Sequence, residues 1–133
     1  MEKENNSMKK KIIYTDKAPK PIGPYNQAIL HNDILYCSGQ IAINPENNML
    51  EIESIGIETA RVMKNIAAIL EAAHMDFSHV LKCSIFLKDM KQYKEVNNIY
   101  ASFLKNNHPA REAIQVSALP KNVNVEISVI ASK

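Results

Sequence analysis

The stretch "VLKCSIFLKDMKQYKEVNNIYASF", residues 80–103, changes its periodicity halfway along. Leu81, Cys83, Ile85 and Leu87 alternate with Lys82, Ser84 and Phe86. That period of two specifies a strand with one strongly apolar face. From Tyr93 the period becomes helical, with Tyr93, Val96, Tyr100 and Phe103 on one stripe. Asp89 is placed to cap this helix, with Gln92 three residues on as in a capping box. "KNNHPA" ends it, because Pro109 disfavours a helical residue before it. A strand running straight into a one-sided helix needs a sheet covered on one face.

Outward from this stretch the same grammar continues. Upstream, Ser54 to Ala73 reads as a first helix, with Ser54 as N-cap and Ile57, Ala60, Met63, Ala67 and Leu70 as its apolar stripe. "QAIL" and "ILYCSG" flank the turn-prone "HND" and read as a hairpin. "KKIIYT" is a short edge strand, while "KPIGPYNQ" and "INPENNM" are loops by their Pro, Gly and Asn content. Downstream, "REAIQVS" alternates Ile114 and Val116 against Arg111, Ala113, Gln115 and Ser117. "VNVEISVIA" alternates Val123, Val125, Ile127 and Val129 against Asn124, Glu126, Ser128 and Ile130, and "ALPKN" turns between the two. The expected order is β-β-β-α-β-α-β-β, an α+β layer with both helices on one face of the sheet. The other face is partly polar but carries Phe86 and Ile130, so it meets either water or another subunit. Residues 9–133 are expected to form one domain. Residues 1–8 are expected to be a flexible tail, with a second start at Met8.

The bulk properties narrow the function. A chain of 133 residues with 46% apolar and 23% charged side chains can bury an ordinary core without staples. A net charge of +2, with the basic run "MKKK" confined to the tail, gives no nucleic-acid footprint. No apolar run approaches the ~18 residues a membrane span needs. The N-terminus is a poor signal peptide, which points to the cytoplasm and leaves an organelle address open. Cys37 and Cys83 either pair or, as a chain of this size favours, stay reduced. His31, His74, His79 and His108 have no metal-ligand spacing, and no metal or cofactor is expected. Phosphate-loop, GxGxxG and GxSxG motifs are absent from the sequence.

Few side chains remain for chemistry. Arg111 follows a proline at the start of a strand and is one of two arginines in a lysine-preferring chain. Its planar fork can grip a carboxylate, although a surface ion pair is the commoner use of such a residue. Glu126 interrupts an apolar strand and is either solvated or a carboxylate that positions a water. The parity of the two strands puts Arg111 and Glu126 on the same, more polar face, where they are expected to meet. Tyr25 sits in a stiff loop and can wall a small pocket. Ser38 and Gly39 end a strand where a ligand can approach the backbone. Asn97 shares the apolar side of the second helix, where it must find hydrogen-bond partners.

Taken in order, "PIGPYNQA", "YCSGQIAINP", "NIAAILEAA", "VLKCSIFLKDM", "VNNIY", "PAR" and "LPKNVNVEISVIA" resemble the Rid family, the reactive intermediate deaminases also described as YjgF-type or L-PSP endoribonuclease-like proteins. The resemblance runs from about Ile13 to Ala131. It implies a chorismate-mutase-like (YjgF-type) α+β fold assembled as a homotrimeric barrel, with ligand pockets in the clefts between subunits. It also implies cofactor-independent hydrolysis of small 2-imino acids, such as 2-iminopropanoate and 2-iminobutanoate, to 2-keto acids and ammonia. By this resemblance Arg111 holds the substrate carboxylate and Glu126 orients or activates water. Tyr25, Ser38, Gly39 and Asn97 line the pocket; Ala113 serves there if its position acts through the backbone carbonyl, whereas a side-chain role would change the rate or substrate range. The chain departs from the family's usual pattern at Glu112 and Ala113. Two other activities attach to such chains: RNA cleavage with inhibition of translation, and non-catalytic carboxylate binding or holdase action by a trimer.

Overall fold

In the computed structural model, which describes residues 9–133, the change of period after Leu87 is the joint between a sheet and its helical cover. The elements are β1 (Lys11–Ile13), β2 (Ala28–His31), β3 (Ile34–Gln40), α1 (Ile55–Ala72), β4 (Val80–Leu87), α2 (Tyr93–Phe103), β5 (Ala110–Gln115) and β6 (Val125–Ser132). Short 3-10 turns occupy Phe77–His79, Met90–Gln92 and Pro120–Asn122. The strands form one sheet in the order β1-β2-β3-β6-β4-β5. Neighbours run antiparallel except β4 and β5, which are parallel because α2 carries the chain back between them. The α+β class and the element order are those expected from the sequence. The expected tail at 1–8 and the start at Met8 lie outside the described residues.

The core lies between the sheet and the two helices. Leu35, Ile85, Leu87 and Ile127 from the strands meet Val62, Ile66, Ile69 and Val96 from the helices, all at most 1% exposed. β6 is the central strand, and its alternation is as expected: Val125, Ile127, Val129 and Ala131 are buried, while Glu126, Ser128, Ile130 and Ser132 are half-buried on the outer face. A second small cluster, Ile41, Ile43 and Val123, anchors the loop that follows β3.

Four local expectations need correction. The stripe of α1 is rotated: Ile57 is exposed, Ala60 and Ala67 are half-buried, and only Met63 and Leu70 of the expected set are buried. The inward face is instead Ile55, Thr59, Val62, Ile66 and Ile69, with Glu58 and Asn65 buried beside it. Ser54 does cap this helix, its Oγ accepting the Ile57 N–H at 3.1 Å. Asp89 caps the 3-10 turn ahead of α2 by accepting the Lys91 N–H, and Gln92 precedes α2 with no side-chain cap. Leu81 is exposed because the β4–β6 register shifts between Val80 and Lys82, which turns Val80 inward in its place.

The fourth correction is the face of β5. Arg111 lies opposite Cys83, and Ala113 opposite Ile85, on the helix-covered side, while Ile114 is 45% exposed on the outer side. Cys37 and Cys83 both register with Val129, one from each side of β6. Two strand spacings, ~10 Å, separate them, too far for a disulfide. Both are free and buried.

Candidate functional site

Glu126 is presented by β6, and its place depends on two features of neighbouring elements. The first is a bulge in β3. Cys37 aligns with Val129 and Gln40 with Ile127, so Ser38 and Gly39 together face the single residue Ser128. The bulge brings Gly39 against Glu126: a Cβ there would collide with the carboxyl group, 2.8 Å from Cδ. Glycine leaves the Glu126 carboxyl its place here, and any larger residue would displace it. The second feature is Glu58 of α1, which is fully buried. Its carboxylate accepts the Asn124 N–H at 2.7 Å, Asn124 Nδ2 at 2.7 Å and the Val125 N–H at 3.1 Å. These bonds pin the start of β6 directly ahead of Glu126.

The Glu126 carboxyl opens into a cavity of about 220 Å³. Tyr25, Gly39, Ile22, Ile41, Pro120 and Lys20 are among its walls. Burial is the cause that raises the Glu126 pKa above the ordinary carboxylate value. The walls are held from behind. Buried Gln27 donates through Nε2 to the carbonyls of Thr15 (2.9 Å), Ala18 (3.2 Å) and Pro19 (2.9 Å), and so fixes the proline-rich loop. Buried Asn65 donates to the carbonyls of Ile41 (3.2 Å) and Ile43 (2.9 Å). The Tyr25 hydroxyl accepts the Ile22 N–H at 3.3 Å, which steadies the rim. Ser38 stands just outside this cavity, and its hydroxyl donates to the Asn26 carbonyl at 2.6 Å.

Arg111 belongs to a different place. It sits on the edge strand β5, under α2, where Nη1 donates to Asn97 Oδ1 at 2.6 Å and Nη2 donates to the Tyr93 hydroxyl. Its Cζ lies 5.5 Å from the Tyr93 ring centroid and 5.1 Å from that of Tyr100. Burial raises the Tyr100 phenol, and burial lifts the Cys83 thiol to about 11. Both are therefore neutral near pH 7. Among the described residues the partners of Arg111 carry no negative charge, so a partly desolvated guanidinium is left with donors for an anion. Ala113 follows on the same face, packed against the core.

The expected meeting of Arg111 and Glu126 does not occur within one chain. β4 separates their strands, and Glu126 lies opposite Phe86 on the outer face while Arg111 lies opposite Cys83 on the inner one. Tyr25, Gly39 and Glu126 do converge, as do Arg111 and Asn97. Sequence reasoning missed Glu58, Gln27 and Asn65, and it read Tyr93 only as part of the apolar stripe of α2. Hydrophobic periodicity is blind to a buried polar side chain whose partner is a distant backbone. Glu112 lies on the outer face, where it accepts the Ser84 hydroxyl at 2.7 Å and approaches Lys82 Nζ at 3.6 Å. Among the described residues no group of three His, Cys, Asp or Glu side chains is arranged to hold a metal ion, and no helix is long and apolar enough to cross a membrane.

Comparison with known proteins adds to this geometry. The family described as Endoribonuclease L-PSP matches residues 15–133. A RutC family protein of Saccharolobus solfataricus is 46% identical over 124 residues, covering 93% of this chain and 98% of that one. A human 2-iminobutanoate/2-iminopropanoate deaminase is 41% identical over 126 residues, covering 95% and 92%. A crystal structure of a Rid family protein from Yersinia pestis superposes with a TM-score of 0.91 at 45% identity, over 94% of this chain and all of that one.

Proposed function

Because this chain belongs to the Endoribonuclease L-PSP family, among whose members are the Rid proteins, we propose that it hydrolyses small 2-imino acids such as 2-iminobutanoate and 2-iminopropanoate to 2-keto acids and ammonia. The observation that carries this reading is the half-buried Glu126 carboxyl, seated against Gly39 at an apolar-walled cavity. Its raised pKa suits a base that works near neutral pH.

The chemistry asks little of the protein. The imine carbon is already electrophilic. Glu126 takes a proton from a water as its oxygen bonds to that carbon, giving a tetrahedral amino alcohol. With the imine protonated, Glu126 passes that proton to the amino nitrogen and then takes the hydroxyl proton as the C–N bond breaks, so ammonia leaves while the C=O of the keto acid forms. No covalent nucleophile takes part. Arg111 grips the substrate carboxylate, and orientation lowers the barrier further. Tyr25, Ser38, Gly39, Asn97 and Ala113 are the proposed surroundings of the substrate.

Arg111 and Glu126 occupy opposite faces of one sheet, so a pocket using both takes one from each of two copies. This supports the proposed homotrimer, as does the outer sheet face, where Tyr36 is 48% and Ile114 45% exposed. The proposed compartment is the cytoplasm, in keeping with two free thiols.

The test couples an amino-acid oxidase, which generates the imine, to a direct measurement of imine decay. Wild type is expected to accelerate decay over buffer, and Arg111→Ala to lower kcat/KM by about 100-fold. No acceleration by wild type sinks the deaminase reading. RNA cleavage by a nuclease-free preparation, lost in Glu126→Gln, would instead favour the endoribonuclease that the family description names.

A further inference from the structure

The arginine at the edge of β5 has a neighbour whose role is not explained by packing alone. Tyr93, at the first position of α2, is half-buried, and its hydroxyl accepts from Arg111 Nη2 while its ring lies 5.5 Å from Cζ. Asn97, one turn on, accepts from Nη1 at 2.6 Å. Together they take one N–H from each terminal nitrogen, and the Tyr100 hydroxyl is a further hydrogen-bond partner, which leaves at most two of the guanidinium's five donors for a ligand. Tyr100 closes the far side, 5.1 Å from Cζ.

We propose that Tyr93 is a positioning residue for the Arg111 carboxylate clamp, setting the orientation of the guanidinium through its hydroxyl before substrate arrives. The proposal rests on the deaminase reading for its substrate. A free arginine side chain samples many rotamers, and ordering it on binding weakens affinity. A phenol oxygen on one terminal nitrogen and an amide oxygen on the other remove that loss in advance. Neither partner is anionic, so neither competes with the ligand for the charge. A phenylalanine at this position would keep the ring against Arg111 and the packing on the core but would lose the acceptor. The hydroxyl is therefore the separable feature.

Tyr93→Phe is the variant, and two measurements are made on the full chain. In imine hydrolysis, KM is expected to rise about five-fold with kcat within about two-fold of wild type, the signature of lost uniform binding. In calorimetric titration, the Kd for 2-oxobutanoate is expected to rise by a similar factor, with the thermal midpoint unchanged. The neutral amide of the same keto acid should lose nothing, because only a carboxylate uses the clamp. Equal KM and Kd in variant and wild type, or equal losses for the acid and its amide, overturn the proposal. So does a wild type that does not bind 2-oxobutanoate. A wild type that binds 2-oxobutanoate without accelerating imine decay removes the deaminase reading alone, and the titration still decides Tyr93.

Discussion

Glu126 shows how one residue's environment sets its use. Burial disfavours its ionised form, so its pKa in the folded chain lies above the ordinary 4.5. A base must be ionised to act, so kcat/KM is expected to fall on the acid side with an apparent pKa above 4.5. Glu126→Gln should remove that limb and lower the rate by about 100-fold or more. The same shift bears on stability with a definite sign. A group whose pKa rises on folding favours the fold when protonated. That contribution is complete below about 4.5 and is lost as pH rises through the raised value. Glutamine is neutral throughout. Glu126→Gln should therefore melt no lower than wild type at pH 7–8 while being nearly inactive. A clearly lower melting temperature would show that the carboxylate is needed by the fold, against this account.

At the scale of elements, the tie between α1 and β6 carries the arrangement. Glu58→Ala would leave the buried Val125 N–H and the half-buried Asn124 N–H without an acceptor. Each such orphan costs about 1–3 kcal/mol, so a loss of roughly 3 kcal/mol is expected in urea unfolding. A loss under about 1 kcal/mol would mean that water replaces the carboxylate. This tie also marks the limit of what the sequence discloses. The strands and helices were legible because Val125, Ile127, Val129 and Ala131, or Val96 and Tyr100, repeat at the right spacing. The phase of α1 was not, because its inward face includes Glu58, Thr59 and Asn65, polar residues whose partners lie on other segments or on the helix backbone. The facing of β5 was not legible either. On an edge strand with no fully buried residue, apolar parity has little core to point at, and two side chains of α2 decide where Arg111 turns. Of the candidate site, the residue types were readable, and Tyr25 with Gly39 and Glu126 came together as a set. Their separation from Arg111 was not readable, because it depends on β4 entering the sheet between β6 and β5.

At the scale of the whole molecule, that separation makes a prediction about assembly. If one copy supplies Glu126 and another Arg111, two dead variants can repair each other. Arg111→Ala and Glu126→Gln, refolded together at equal amounts, should recover about a quarter of wild-type activity, since a mixed ring contains pockets with both native residues. A pocket built within one chain recovers nothing. Light scattering on the same samples checks that the mixture forms the same oligomer as wild type.

The two thiols on either side of Val129 have a practical consequence. Cys37, at about 12, and Cys83, at about 11, are kept protonated by burial, and a protonated buried thiol does not react with a disulfide reagent. Each sulfur becomes a chemical clock for opening of the sheet around it. If the sheet opens only as a whole, both are modified at one rate, equal to that of global unfolding under native conditions. If the β5 edge peels away first, Cys83, whose strand β5 covers, is modified ahead of Cys37. The order of labelling then tells whether the arginine's strand shares the cooperativity of the core.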